Sequence, residues 1–301
     1  MKNRPDGSAA VIQPHYRSLN SWLREQFGEK VYKISLDGGF TCPTRDGTLD
    51  TRGCIFCAGG SGAFAVPVDK GVRNAVETAK RTVENKGGKK FIAYFQSYTG
   101  TYAPVAELRE LYTEVLSCPD IIALSIGTRP DCLPEDVLEL LKEMNGIKPV
   151  WVELGLQTVH ERTARYIRRG YPLEVFDDTV RRLRTSGITV IVHMIIGLPG
   201  ETQEMAVETA RYIGRSGADG IKFQLLHVLE GTDLAEEYRK GLFQVLSLEE
   251  YINTLERCVE AVPSDMVVHR LTGDGPKPLL IEPKWSADKK RVLNTLRRIL
   301  Q

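Results

Sequence analysis

Three cysteines carry the first chemical signal in this chain. Of its six, Cys42, Cys54 and Cys57 lie together in a C-x11-C-x2-C spacing. Glycines in TRGCIFCAGG let the backbone turn tightly around a bulky inorganic group. Three thiolates leave one iron of a four-iron cubane open, whereas structural zinc and most ferredoxin-type clusters take four protein ligands. An open iron can accept a chelating amino–carboxylate ligand. No histidine lies between Cys42 and Cys57, and Asp37, Asp46 and Asp50 are poor company for three thiolates. A cluster is therefore favoured over zinc, with zinc left open. Cys118, Cys132 and Cys258 stand apart and read as small buried apolar residues.

Other chemistry-bearing residues sit inside apolar runs. Glu153 in such a run is costly unless paired or functional. Lys222 is similarly placed, while His193 and His227 near strand ends fit structural or catalytic roles equally. A net charge of +1 creates no field that by itself selects nucleic acid or membrane. No run of about 18 apolar residues is present, and the first twenty residues lack an apolar signal region. The expectation is a cytoplasmic protein with no membrane partner, where thiols stay reduced.

Alternating elements must position these groups. Runs at 31–36, 91–95, 121–126, 150–156, 188–196 and 221–226 read as strands buried on both faces. Amphipathic stretches at 75–85, 105–117, 134–145, 174–186 and 202–216 read as the intervening helices. Repeated strand–helix units imply right-handed crossovers and a parallel sheet. The fold class expected is α/β, a partial (β/α)6 TIM-like barrel with short N- and C-terminal extensions. Its parts are a helical extension over 1–30, the core over 31–245 and a C-terminal extension over 246–301. Function belongs at the C-terminal ends of the strands, where DGGFTCPTRDGT, QSYTGTY, GTRPD, GLQT, GLPGET and HVLEGTD fall. The loop 272–285 is either a lid or a surface connection.

Five segments in this order resemble the radical S-adenosylmethionine (SAM) superfamily, in the branch of the Elongator catalytic subunit and oxygen-independent coproporphyrinogen oxidase. They are the cysteine loop, IGTRPD (126–131), VELGLQT (152–158) with Arg169-Gly170-Tyr171, MIIGLPG (194–200) and KFQLLHVLEGTDL (222–234). Tyr171 stands where that branch has histidine, and the gap from Cys42 to Cys54 is longer than the commonest one. The resemblance implies a 4Fe–4S cluster on Cys42, Cys54 and Cys57, with SAM on the open iron. It places Gln96 and Ser97 at the SAM amino group, Glu153 at the ribose or amino group, and Arg169 on the methionine carboxylate. Gln157 joins this set, and Ile195, Gly197 and Leu198 lie against adenine. The chemistry implied is one-electron cleavage of SAM, fed by a flavodoxin- or ferredoxin-like donor, to a 5′-deoxyadenosyl radical that abstracts hydrogen from a substrate. For substrate, tRNA modification, wobble uridine included, comes first. A small molecule or cofactor precursor comes second, and a non-catalytic iron–sulfur or zinc RNA-binding protein third. The acetyltransferase part of Elongator has no counterpart here. Arg162, Arg165, Arg168, Arg169, Arg181, Arg182 and Arg184 could face RNA or simply be a solvated surface.

Overall fold

The computed structural model describes residues 16–59 and 65–300, so most of the expected N-terminal extension (1–15) lies outside the described residues. Its strands are β1 (Arg17–Ser18), β2 (Val31–Asp37), β3 (Val66–Pro67), β4 (Lys90–Phe95), β5 (Ile121–Thr128) and β6 (Val150–Gln157). They continue as β7 (Thr189–Ile196), β8 (Gly220–Leu225), β9 (Val228–Leu229), β10 (Val267–Arg270) and β11 (Leu280–Glu282). The helices are α1 (Leu19–Phe27), α2 (Val72–Arg81), α3 (Val105–Ser117), α4 (Glu135–Ile147) and α5 (Glu161–Tyr166). After them come α6 (Leu173–Thr185), α7 (Gln203–Arg215), α8 (Asp233–Arg239), α9 (Leu248–Glu260) and α10 (Lys289–Ile299).

Nine strands in the order β1-β10-β8-β7-β6-β5-β4-β2-β3 pair in parallel and curl into a half-barrel. The six expected strands form its middle in chain order, as right-handed crossovers require. Alternation along each strand separates two faces. Leu36, Phe95, Ile126, Val152, Val192 and Phe223 point outward and are fully buried against the helices. Inward residues form layers. The lowest holds Val31, Ile92, Ala123, Trp151 and Ile191, closed from below by Leu23 and Trp22 of α1. The Trp22 and Trp151 rings meet edge-on at 5.6 Å, a geometry their quadrupoles favour.

The sheet does not end at the sixth strand. β10 joins β8, β1 joins β10, and α9 packs on α7, burying Tyr251, Leu255 and Cys258. Residues 246–300 are thus joined to the barrel through β10 and α9. VVHR, at four residues, is too short to carry a periodic signal. The loop 272–285 forms part of the cavity wall. Antiparallel pairing of β11 with β9 and a bond from Trp285 Nε1 to the Leu246 carbonyl (3.0 Å) hold it down.

Cys118, Cys132 and Cys258 are all buried. Each should tolerate alanine with cluster content retained, at a cost of about 1–2 kcal/mol in urea unfolding. Loss of iron from a folded variant would identify a fourth ligand.

Candidate active site

A cavity of about 500 Å³ opens at the C-terminal ends of the strands, and Cys42, Cys54 and Cys57 all line it. Their loop leaves β2 and is held by short-range bonds. Arg45 N donates to the Cys42 carbonyl (2.8 Å), and Cys57 N to that of Cys54 (3.0 Å). Two arginines clamp it further: Arg45 donates to the Cys57 carbonyl, and Arg168 donates to the Gly53 carbonyl and to Asp233. Gly53 has φ +72°, a conformation that favours glycine, and a Cβ there would lie 2.7 Å from Arg45 Nε and push that side chain aside. Burial and the neighbouring Cys57 push the Cys54 thiol up to about 12. Among the described residues no three His, Cys, Asp or Glu side chains converge on a single metal ion. Donors spread around one cavity suit a multi-iron cluster, in which each thiolate takes its own iron.

Beneath the cysteines lies a charged layer built by inward positions of β2, β4, β5, β6, β7 and β8. Glu153, 1% exposed, is its hub. Lys33 and Ser125 (2.6 Å) donate to its Oε1, while His193 (2.7 Å) and Lys222 donate to its Oε2. Gln224 Nε2 donates to His193 Nδ1 (3.2 Å), which leaves the Nε2 proton for Glu153. Burial raises the Glu153 carboxyl, but Lys222 and Lys33 outweigh that and hold it well below the usual carboxylate range. All four of its acceptor positions are taken by protein donors. Its part in the site is to hold two lysines and a histidine in the barrel.

The cavity also gathers most of the residues expected around SAM. Gln96, Ser97, Glu153, Gln157, Arg169 and Ile195 line it. Gly197 and Leu198 do not. The φ of +92° at Gly197 turns the chain away, and Leu198 packs with Ile55, Ile167 and Leu226. Ser97 Oγ and Gln157 Oε1 are buried without a hydrogen-bond partner among the described residues. Orphaned polar atoms facing a cavity are what a polar ligand such as SAM satisfies. Gln157 also has φ +68° and follows a bulge at Gly155, which aims it inward. Arg169, 2% exposed, donates to the carbonyls of Tyr171 (3.0 Å) and Thr158 (2.7 Å) and to Glu161 (3.3 Å). It braces the loop after β6 as well as lining the site.

Sequence reasoning assigned no role to Arg129, Lys33 or Ser125, and took Tyr94 only as the start of the segment 94–98 at the SAM amino group. Arg129 lines the cavity, 9% exposed, in a bidentate pair with Asp131 at 2.9 and 2.7 Å. Its motif, IGTRPD, was visible. For Lys33, Tyr94 and Ser125 the signal was weaker: each is a polar inward position in an apolar strand.

Three barrel histidines are held neutral. Burial lowers His193 and His227 to about 4, and His269 well below its usual value of 6.5. Between about pH 6.5 and 4 the unfolded chain binds protons that the native state does not, so stability falls as pH falls through that window. Each such group contributes about 1.4 kcal/mol per pH unit. Urea unfolding at pH 7 and pH 5 should show a smaller loss for His269→Asn than for wild type. Equal losses would remove this account.

A parallel half-barrel with three thiols at its C-terminal mouth and orphaned polar atoms beside them is the frame of a radical SAM enzyme. Residues 51–213 match the Radical SAM superfamily, and residues 218–301 match the Radical_SAM C-terminal domain. The chain belongs to the radical SAM superfamily, and its cofactors are a 4Fe–4S cluster and SAM. It is similar to the uncharacterized protein YtqA of Bacillus subtilis (strain 168), 46% identical over 291 residues, covering 96% of this chain and 90% of YtqA. It is also 28% identical over 165 residues to a tRNA uridine(34) acetyltransferase of Methanocaldococcus jannaschii, covering 54% of this chain and 30% of that protein. Among solved structures, Elp3 of Methanocaldococcus infernus shares the fold. Its TM-score is 0.67 at 18% identity, over 89% of this chain and 63% of that one. No helix among the described residues is long and apolar enough to cross a membrane.

Proposed function

We propose that this radical SAM enzyme modifies tRNA, with a wobble-position uridine as the target base. When bound, the cluster and SAM supply a 5′-deoxyadenosyl radical, fed by an external electron donor of flavodoxin or ferredoxin type. The chain's own residues do the rest. Cys42, Cys54 and Cys57 hold the cluster, Ser97 and Gln157 offer hydrogen bonds to SAM, and the wall at Asp274–Leu279 screens the cavity from water.

The observation that carries the RNA reading is α10. Lys289, Lys290, Arg291, Arg297 and Arg298 are exposed in its eleven residues, with no acid among them. Lys289 pairs with Asp274, a cavity-lining residue, so this basic helix begins at the mouth of the site. A phosphate backbone lying on α10 would deliver a base to the cavity. Similarity to the radical SAM portion of a tRNA uridine(34) acetyltransferase supports the same reading.

The arginines after β6 and on α6 contribute less than their number suggests. Arg168 pairs with Asp233, Arg181 with Asp178, Arg182 with Glu135 and Arg184 with Asp219, while Arg169 is buried. Arg162 and Arg165 are exposed.

Changing Lys290, Arg297 and Arg298 together to glutamine should weaken tRNA retention and flatten its salt dependence by about two to three slope units. Visible absorbance of the cluster controls for folding. An unchanged slope would remove α10 from the interface. If a strain lacking the protein kept every tRNA nucleoside at its normal level, the RNA reading would fall.

A further inference from the structure

Below the rim, the barrel interior holds more positive than negative charge. Lys33 and Lys222 share one interior carboxylate, Glu153, and Arg270 lines the same cavity. Arg270 and Lys222 are register partners across β10 and β8, and the shift at His269 inserts the extra residue that sets them side by side. Lys222 uses two of its three ammonium donors, on Glu153 and on Tyr94 (3.2 Å). The nearest acid to the Arg270 guanidinium, Asp274, is 3.9 Å away and is shared with Lys289. Among the described residues the Arg270 side chain makes no hydrogen bond. A planar fork with no hydrogen-bond acceptor among the described residues, beside an ammonium with a spare N–H, is a receptor for an oxyanion. Burial lowers the Lys222 ammonium to about 7 despite Glu153, and Lys33 and Arg270 push it the same way. The interior is short of negative charge.

We propose that Lys222 and Arg270 form a subsite for a carboxylate carried by the substrate. Two sources could supply that group: a substituent of the substrate, or the methionyl carboxylate of SAM. Depth favours the first. Lys222 lies three residues before Leu225, where β8 ends, and so about 10 Å below the rim that bears the cysteines. On the RNA reading proposed above, on which this point rests, the group sits on the target uridine.

The test titrates SAM-loaded holoenzyme with uridine-5-carboxylate, its neutral isostere uridine-5-carboxamide, and malonate. Wild type should prefer the carboxylate over the carboxamide by roughly tenfold or more, as for a charged hydrogen-bonded pair. Lys222→Met and Arg270→Met should each erase that preference while SAM affinity is kept. If both variants lost SAM affinity in step, the pair would hold the methionyl carboxylate and the proposal would fail. If neither nucleoside bound wild type, yet malonate bound wild type and not Arg270→Met, the uridine reading would fall and the subsite would stand. Malonate binding equally to wild type and Arg270→Met would overturn the subsite. Should Lys222→Met misfold, Arg270→Met bears the test alone, since among the described residues the Arg270 side chain makes no hydrogen bond and only a 3.9 Å ion pair.

Discussion

Alanine at any one of Cys42, Cys54 or Cys57 should abolish SAM cleavage and strip the protein of its iron–sulfur absorption. Anaerobically reconstituted wild type should carry about four irons and four sulfides, held by three thiolates with one iron open. All three cysteines line one cavity, and among the described residues none has a histidine or carboxylate that converges with the others on one metal ion. Losing one thiolate leaves two protein ligands for a cubane. The effect is therefore close to all-or-none, in contrast to the mild cost expected at Cys118, Cys132 and Cys258. Iron and sulfide analysis with a 5′-deoxyadenosine assay decides it. Stoichiometric zinc without iron after anaerobic reconstitution would falsify the cluster assignment.

Glu153→Ala should be the most destabilising single change in the barrel interior, by about 3–5 kcal/mol, because it leaves buried lysines without their counter-charge. Lys222 has a side chain only 5% exposed, and Lys33 17%. Neither can turn fully into water. The sign with pH follows from the lysines. Burial already lowers both in wild type, Lys222 to about 7, and losing Glu153 lowers them further. The unfolded chain then binds more protons, and stability of the variant should rise with pH from about 7 toward 10. Denaturant unfolding at pH 6 and pH 8 should show the deficit shrinking, as wild-type Lys222 gives up the proton that the variant has already lost. Pairing Glu153→Gln with Lys222→Met should recover part of the loss, since removing both charges of a buried pair is far cheaper than removing one. A deficit indifferent to pH and to the second substitution would mean that the layer acts through packing alone.

The strands, their order and the side of the barrel that bears the chemistry were legible in one dimension. Val, Ile, Phe and Leu are nearly continuous in β4, β5 and β7, which burial on both faces requires, and glycine-rich loops fall at one end of each strand. That the three cysteines share one cavity was legible for a different reason: their spacing is local, so one loop brings them together. What escaped notice was short or long-range. β10 is four residues and β1 two, so neither has a period to detect; their place comes from edge hydrogen bonds that residues far away in sequence provide.

By itself, the sequence determined that three thiols sit after the first long strand of a repeated strand–helix chain, and that Glu153 and Lys222 interrupt apolar runs. Which charges meet was decided only by the tertiary structure. Lys33 and Glu153 are 120 residues apart, and Tyr94 and Lys222 are 128, yet all share one layer because curling the sheet brings the inward faces of distant strands together. The same closure sorted the arginines. Arg169 became a buried brace, Arg168 a clamp on the cysteine loop, and Arg270 an open fork facing the cavity, although as residues in a string all three carry the same charge. Charge type is written locally, but its partners, its burial and hence its energy depend on which surfaces the fold presses together.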